Sequence, residues 1–438
     1  MDIATITATQ NAAPVREYKL SKANAYYIFT LLFLLYFFDY IDRTVVTSVA
    51  PFIQKEWGLT DMQSGLLMSV LYWSIVVLVF PVSIIVDRWS RKKTIGVMAL
   101  LWTAATAACA FTKSFGQLLI TRSFIGIGEA GYAPAGTAML SGLFPEEKRA
   151  RMMGLWNISI PIGTAVGIGL GGFIATHWGW RHAFGLVAIP GAIVAILFFF
   201  VKDYKTIELV KTKDPAQQLK AKMSKMDIFR EFACTPSLIL TYIGFIGCIF
   251  VNNAIIFWLP PYLHRTMGIS ISEAAVKTSL LMILALIGLP LGGWLADMWF
   301  KKKPKSRLLF PMITTSLNAV VIFVAISLLQ EQAQYLTLIL MGILGSAFAP
   351  AAITATQEVI HPGLRAISYS ICVVLQNLLG ASMAPIVIGK ISDLYGIQAA
   401  MSILPIFLVA SAIVFLAGSV FYEKDLRKVE KITLECED

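Results

Sequence analysis

The sequence predicts an all-α integral membrane protein, with twelve transmembrane helices in two pseudo-symmetric six-helix bundles. Three observations carry that prediction. Of the 438 residues, 57% are hydrophobic and only 14% are charged, too apolar for a soluble chain of this length. Twelve apolar segments, separated by turn residues or charges, are of bilayer-crossing length. The second half of the chain also repeats the first at a near-constant offset.

In order, the segments run Ala25–Ala50, Met62–Val86, Thr94–Thr112, Gln117–Leu143, Arg149–Ala175 and Arg181–Val201. After a polar stretch come Pro236–Leu263, Ser272–Ala296, Leu308–Leu329, Gln334–Ile360, Ala366–Ile391 and Ile397–Phe421. The expected organisation is a cytoplasmic tail over 1–23, a bundle over 24–201, a basic cytoplasmic linker over 202–235, a second bundle over 236–421 and a tail over 422–438. The linker reads equally as an amphipathic helix on an anionic leaflet or as a solvated connector.

The net charge is +10, but its basic residues are dispersed through short loops and do not form one soluble face, so no nucleic-acid partner is expected. Alternate loops hold most of them, including Arg88, Arg91, Lys92, Lys93, Lys148, Arg149 and Lys301 to Lys303. That bias predicts both termini in the cytoplasm, and a plasma (inner) membrane is the expected location. The five cysteines form no C-x-x-C pair, and the four histidines fall near segment ends. Neither a disulfide framework nor a metal site is indicated, and no cofactor is expected.

A shift of 210 residues places Asp42 on Asn252, Arg43 on Asn253, Asp87 on Asp297 and Trp89 on Trp299. Shifts of 216 and 217 align Ala133-Pro134-Ala135 with Ala349-Pro350-Ala351, and Gly163, Gly172 and Gly179 with Gly380, Gly389 and Gly396. A duplicated bundle with a small insertion produces this pattern.

The first segment carries Asp39, Asp42 and Arg43 inside an otherwise uncharged run, and their spacing puts them on one helix face. Charges at membrane depth are costly. They either staple helices as an internal ion pair or line a water-filled proton path. The fourth segment adds Arg122 and Glu129, two turns apart on one face. At 1.5 Å per residue, Arg43, Asp42 and Asp39 lie about 10, 12 and 16 Å from the outer end of their helix, and Arg122 and Glu129 about 8 and 18 Å from theirs. Five charges therefore share one depth band. In the second half, Asn252, Asn253, Leu338 and Gly345 replace four of them, so the proton machinery is expected in the first half. Neutral side chains are the substrate-facing candidates: Asn252, Asn253, Gln357, Gln376 and Asn377, with Phe257 and Trp258 as apolar wall and Tyr132 as a further candidate. Buried amides equally often serve as interhelical glue.

The stretch Ser83-Ile84-Ile85-Val86-Asp87-Arg88-Trp89-Ser90-Arg91-Lys92-Lys93 resembles the signature loop of the major facilitator superfamily, G-x-x-x-D-R-x-x-R-K-K, with Ser83 at the first glycine. Its second-half copy, Gly293 to Asp297, keeps the glycine and carries Met298 in place of arginine. The resemblance implies the superfamily's twelve-helix fold and gating roles for Asp87, Arg88, Arg91 and Asp297. Asp-Arg in the first segment, with Arg122-x-x-x-Gly126-x-Gly128-Glu129-Ala130 in the fourth, resembles the Spinster-like branch and the neighbouring anion:cation symporter branch. For these relatives it implies proton-coupled movement of lysolipids or sphingolipids, or of organic anions. It maps the titrating carboxylates onto Asp42 and Glu129, and their basic partners onto Arg43 and Arg122. Gly167-Ile168-Gly169-Leu170-Gly171-Gly172 resembles the glycine–proline motif of drug/proton antiporters, but Ile168 stands where proline belongs and argues against drug efflux.

The expected function is proton-coupled secondary transport of an amphiphilic lipid or organic anion by alternating access. The alternative is an uncoupled facilitator, or a sugar-acid symporter whose charges bind the substrate directly. No enzyme is expected, because no histidine is available at membrane depth to build a catalytic constellation. The expected partners are membrane lipids and a small amphiphilic or anionic substrate, and the chain is expected to act as a monomer.

Overall fold

A computed structural model describes residues 21–88, 91–201, 225–361 and 364–429. Among these residues the structure is helical throughout, in twelve spans. The first half comprises α1 (Lys22–Trp57), α2 (Asp61–Arg88), α3 (Arg91–Cys109), α4 (Phe115–Glu129 and Tyr132–Leu143), α5 (Glu146–Asn157 and Ser159–Trp178) and α6 (Trp180–Phe198). The second comprises α7 (Pro236–Met267), α8 (Ile271–Ile283 and Ala285–Phe300), α9 (Ser306–Phe323, extended by a π-turn at Val324–Leu328) and α10 (Glu331–Ala347 and Ala349–Glu358). It closes with α11 (Arg365–Leu375, a π-turn at Gln376–Ala381, then Met383–Tyr395) and α12 (Ile397–Ser402 and Leu404–Lys428).

Ten of these spans are long and apolar enough to cross a membrane. The other two are α3, which opens on Arg91-Lys92-Lys93, and α4, which is broken at Ala130–Gly131. Helices are the expected answer to a solvent that cannot satisfy backbone polar groups.

The repeat is written into the backbone. Gly58 ends α1 at φ 64° and Gly268 ends α7 at φ 65°. Gly179 joins α5 to α6 at φ 89°, and Gly396 joins α11 to α12 at φ 84°. These left-handed positions favour glycine, so both halves stop corresponding helices with the same device.

Glycines also set the packing. On α5, a methyl at Gly163 would lie 2.6 Å from Phe37 O, and one at Gly167 2.8 Å from Ile41 O, so this face is pressed onto α1. Gly172 faces the other half, where an added methyl would stand 2.5 Å from Ala275 of α8. Between α2 and α11, a methyl at Gly65 would fall 2.3 Å from Pro385 O. The α5–α8 and α2–α11 contacts thus join the halves at the end remote from the chain termini.

Two segments add detail to the sequence reading. Part of the linker forms a helix, Lys225–Ala233, whose Ile228 and Phe232 pack on the core, while 202–224 lie outside the described residues. The last helix continues past Phe421 to Lys428 because Asp425 is buried there, accepting hydrogen bonds from Ser237 N (3.0 Å) and Oγ (2.7 Å). That carboxylate caps the start of α7, where orphan N–H groups favour an acid.

Candidate functional site

A cavity of about 1120 Å³ lies between the halves. At its deep end are Tyr40, Arg43, Tyr72, Glu129 and Asn253, and it runs past Thr137, Asn157, Leu289 and Tyr369 toward the end that carries the termini. Most of its wall is apolar, including Ile75, Val76, Val79, Ile249, Ile256 and Met282.

Glu129 reaches this cavity because of the glycines before it. A methyl at Gly126 would lie 2.5 Å from Leu71 O of α2, and one at Gly128 2.6 Å from Trp102 N of α3. Only glycine lets α4 wedge between those helices, and the wedge aims the adjacent carboxylate inward. The helix breaks immediately afterwards, at Ala130–Gly131.

Arg43 is the centre of the charge cluster. Its Nη2 stands 3.0 Å from Asp39 Oδ2, and its Nε 2.9 Å from Glu129 Oε2. The second contact is a close charge pair and not an aligned hydrogen bond, since Nε and both Glu129 oxygens have no hydrogen-bond partner. The guanidinium carbon also sits 4.9 Å from the centre of the Tyr40 ring. Asp39, Asp42, Arg122 and Glu129 are all buried.

The pairing differs from the one the resemblance implied. Arg43 does not pair with Asp42 but bridges Asp39 and Glu129. Arg122 donates from Nε to Leu67 O of α2 and from Nη2 to Arg43 O of α1, at 3.3 Å for the latter. It is a clamp on two backbones, and its remaining Nη1 has no hydrogen-bond partner. Asp42 lies among Asp39, Thr106 and Arg122, and among the described residues no ion pair within 4 Å reaches it. Its Oδ1 is buried without a partner.

Of the substrate-facing candidates, Asn252, Asn253, Gln376 and Asn377 line the cavity. The π-turn at Gln376–Ala381 carries the last two, and such bulges often occur at functional sites. The others are placed elsewhere. Tyr132 is buried among Tyr36, Trp102 and Trp156, and its hydroxyl donates to Leu32 O. Trp258 is buried against Phe257, with Nε1 donating to Pro385 O at 3.0 Å. Gln357 does not border the cavity, and its carbonyl accepts from Arg365 Nε at 3.1 Å. Aromatic and amide side chains at these depths were needed for packing, a demand the sequence does not separate from recognition.

The side chains of Asp87, Arg88 and Arg91 lie outside the described residues. Asp297 accepts from Arg307 Nη1 at 2.6 Å, and Arg307 also grips Glu358 through Nε (3.0 Å) and Nη2 (2.9 Å). Glu358 additionally accepts from the Tyr422 hydroxyl. A carboxylate at a span end can snorkel freely to the interface, but the α9 arginine holds Glu358 in place.

A second polar cluster closes the far end. Asp61 accepts from Arg265 Nη1 (2.7 Å) and Nη2 (2.6 Å), from Gln54 Nε2 (2.6 Å) and from the Ser392 hydroxyl (2.5 Å). Asp393 in turn accepts from the backbone N–H of Asp61 (2.7 Å) and Met62 (2.9 Å), capping α2 from the other half. None of these residues stood out in the sequence, where they read as loop-edge polar groups.

The profile of the Major Facilitator Superfamily matches residues 32–385. The hexuronate transporter of Bacillus subtilis (strain 168) is 28% identical over 321 residues, covering 72% of this chain and 76% of that protein. Protein spinster homolog 1 of Xenopus laevis is 24% identical over 437 residues, covering 92% of this chain and 82% of that protein. Among solved structures, a bacterial homolog of the human lysosomal transporter Spinster, inward-facing and unoccupied, superposes with a TM-score of 0.82 at 23% identity, over 93% of this chain and 99% of that one. A D-xylose–proton symporter superposes at 0.71 and 16% identity, over 89% of this chain and 97% of that one.

Proposed function

This chain belongs to the Major Facilitator Superfamily, and on that premise we propose that it is a proton-coupled transporter of an organic anion with amphiphilic character. It is a multi-pass membrane transport protein and not an enzyme. The observation that carries the proposal is Arg43 shared between Asp39 and Glu129 at the deep end of the cavity. With Asp42 and Arg122 the buried cluster contains three acids and two guanidiniums. An unbalanced charge in a low-dielectric site is costly, so the neutral cluster holds one proton. Burial favours the neutral acid and a nearby guanidinium favours the carboxylate. Movement of Arg43 between its two acids therefore changes which form is favoured.

The mostly apolar wall with amides at one end supports a cargo with an apolar body and a polar or anionic head. The name of one relative, a hexuronate transporter, is in keeping with an organic anion. With both termini cytoplasmic, the cavity faces inward and the Asp61 cluster is the closed outer gate. The cavity is complete within one chain, which supports a monomer as the working unit.

The test is uptake into proteoliposomes with and without an imposed pH gradient, using D-glucuronate and lysophosphatidylglycerol as alternative probes. Gradient-driven accumulation of either supports the reading and selects between sugar acid and lysolipid. Arg43 also borders the cavity directly, which favours a second reading in which it binds the anion itself without proton coupling. Uptake that equilibrates but never accumulates would support that facilitator.

A further inference from the structure

Tyr72 of α2 and Asn253 of α7 belong to different halves, and both line the cavity. The Tyr72 hydroxyl donates to Asn253 Oδ1 at 3.0 Å. Asn253 is oriented for this, because its Nδ2 donates to Ile249 O at 3.0 Å and leaves the amide oxygen free to accept. Both side chains are nearly enclosed, at 8% and 6% exposure, so water competes little for the bond.

The repeat gives the contact its meaning. The offset that puts Gly58 on Gly268 puts Arg43 on Asn253 and Tyr72 on Met282. Tyr72 therefore reaches across to the counterpart of Arg43, while its own counterpart is a thioether with no proton to donate. The link runs one way, from the half that holds the charges to the half that holds the amides. Around the phenol stand Arg43, Tyr40, Glu129 and Asp39.

A coupled carrier must not cycle in every state. One of its two empty forms, protonated or unprotonated, has to be barred from crossing, or the ion gradient runs down without moving cargo. Any rocking of the halves stretches a bond between α2 and α7. A cargo bearing a hydrogen-bond acceptor competes for the phenol's proton and removes the restraint. The carboxylates beside the phenol do the same once the cluster is unprotonated, so the unprotonated empty form can still return.

We propose that the Tyr72–Asn253 hydrogen bond is the interlock that stops the empty carrier from cycling with the cluster's proton, and that cargo in the cavity releases it. The inference rests on the proton-coupled reading above. Tyr72 is thus a positioning residue whose effect falls on coupling.

The experiment needs no cargo. Proteoliposomes loaded with a pH-sensitive dye are given a pH gradient, and its decay is followed for wild type, Tyr72→Phe, Asn253→Ala and the double variant. Thermal unfolding of each in detergent checks that it is folded. Each single variant should leak about threefold to tenfold faster than wild type, the range of one hydrogen bond between neutral groups. The double variant should leak no faster than the faster single one, since both remove the same bond. Adding Glu129→Gln to Tyr72→Phe should return the leak to background. A folded Tyr72→Phe that holds the gradient like wild type, or single effects that multiply, would overturn the interlock. A fast leak in Tyr72→Phe that survives Glu129→Gln supports the interlock and overturns the placing of the proton on Glu129, so the two ideas fail separately.

Discussion

Asp61 and Arg265 form a two-pronged ion pair between the halves, Nη1 to Oδ2 at 2.7 Å and Nη2 to Oδ1 at 2.6 Å. Planar fork-to-fork pairing is the strongest arrangement for these groups. Arg265 also donates to Gln54 Oε1 at 3.0 Å, so α1, α2 and α7 converge on one point. Asp393 adds α11 by capping the α2 amides. Four helices from two halves are joined here, and the end remote from the termini cannot open until this network parts.

Arg265→Ala should therefore shift the carrier toward the state open at that end. Its side chain is 33% exposed, which weakens the pair relative to a buried one. An equilibrium shift of about tenfold is expected, near the low end for hydrogen bonds between charged groups. The measurement is the rate at which a membrane-impermeant maleimide, applied from that side, labels a cysteine at cavity position Asn252. An unchanged rate would show that glycine packing between α2 and α11 holds the gate without the ion pair.

Arg122 predicts a stability effect. Its guanidinium is buried and donates to carbonyls of α1 and α2, so it ties those helices at the depth of the cluster. Lysine keeps the charge but lacks the planar fork, and it cannot serve both carbonyls in that geometry. Arg122→Lys should lower stability by about 2 kcal/mol. Arg122→Ala should cost about 3 kcal/mol or more, because it also removes the guanidinium that acts on the buried Asp42 carboxyl. Thermal unfolding of the purified variants measures both. Equal melting temperatures for wild type and Arg122→Lys would refute the clamp.

Much of the fold was legible because a bilayer forces helices and because duplication left matching glycines, Gly172 with Gly389 and Gly179 with Gly396. The charge band was legible too, since a charge inside an apolar run has few bland explanations. The pairings were not. Depth along a helix fixes height and not azimuth, so sequence could not tell that Arg43 turns toward Glu129 and Asp39 while Arg122 turns to backbone carbonyls. The far gate was illegible for a related reason. Asp61, Arg265 and Asp393 are ordinary residues at helix ends, and only the tertiary approach of α2 to α7 and α11 brings them together.

Orientation is a separate prediction from the basic-residue bias. An epitope at either terminus should be reached by antibody only after the membrane is permeabilised. Labelling of a terminal tag in intact cells would invert the assignment and turn the cavity outward.

The final prediction concerns coupling. Glu129→Gln keeps the size of the side chain and much of its hydrogen bonding but removes the titratable proton. It also releases Arg43 from one of its two acids, leaving the guanidinium to Asp39 alone. If Glu129 exchanges the proton, this variant should lose accumulation against a gradient while still exchanging cargo, because the cavity amides at Asn252, Gln376 and Asn377 lie on the other half. Arg43→Lys tests the same geometry from the other side. A single ammonium cannot reproduce the fork that serves both carboxylates, so accumulation should fall although the charge count is unchanged. Asp42→Asn supplies the contrast. Asp42 has no ion pair within 4 Å among the described residues, and its free Oδ1 is buried, so a proton held there would not depend on Arg43. Proton-driven uptake in proteoliposomes, measured for all three variants across pH, decides between the two acids. Loss of accumulation in Glu129→Gln and Arg43→Lys, with retention in Asp42→Asn, puts the proton on Glu129. Full accumulation by Glu129→Gln with loss in Asp42→Asn would move the coupling site to Asp42 and leave the Arg43 bridge a structural staple.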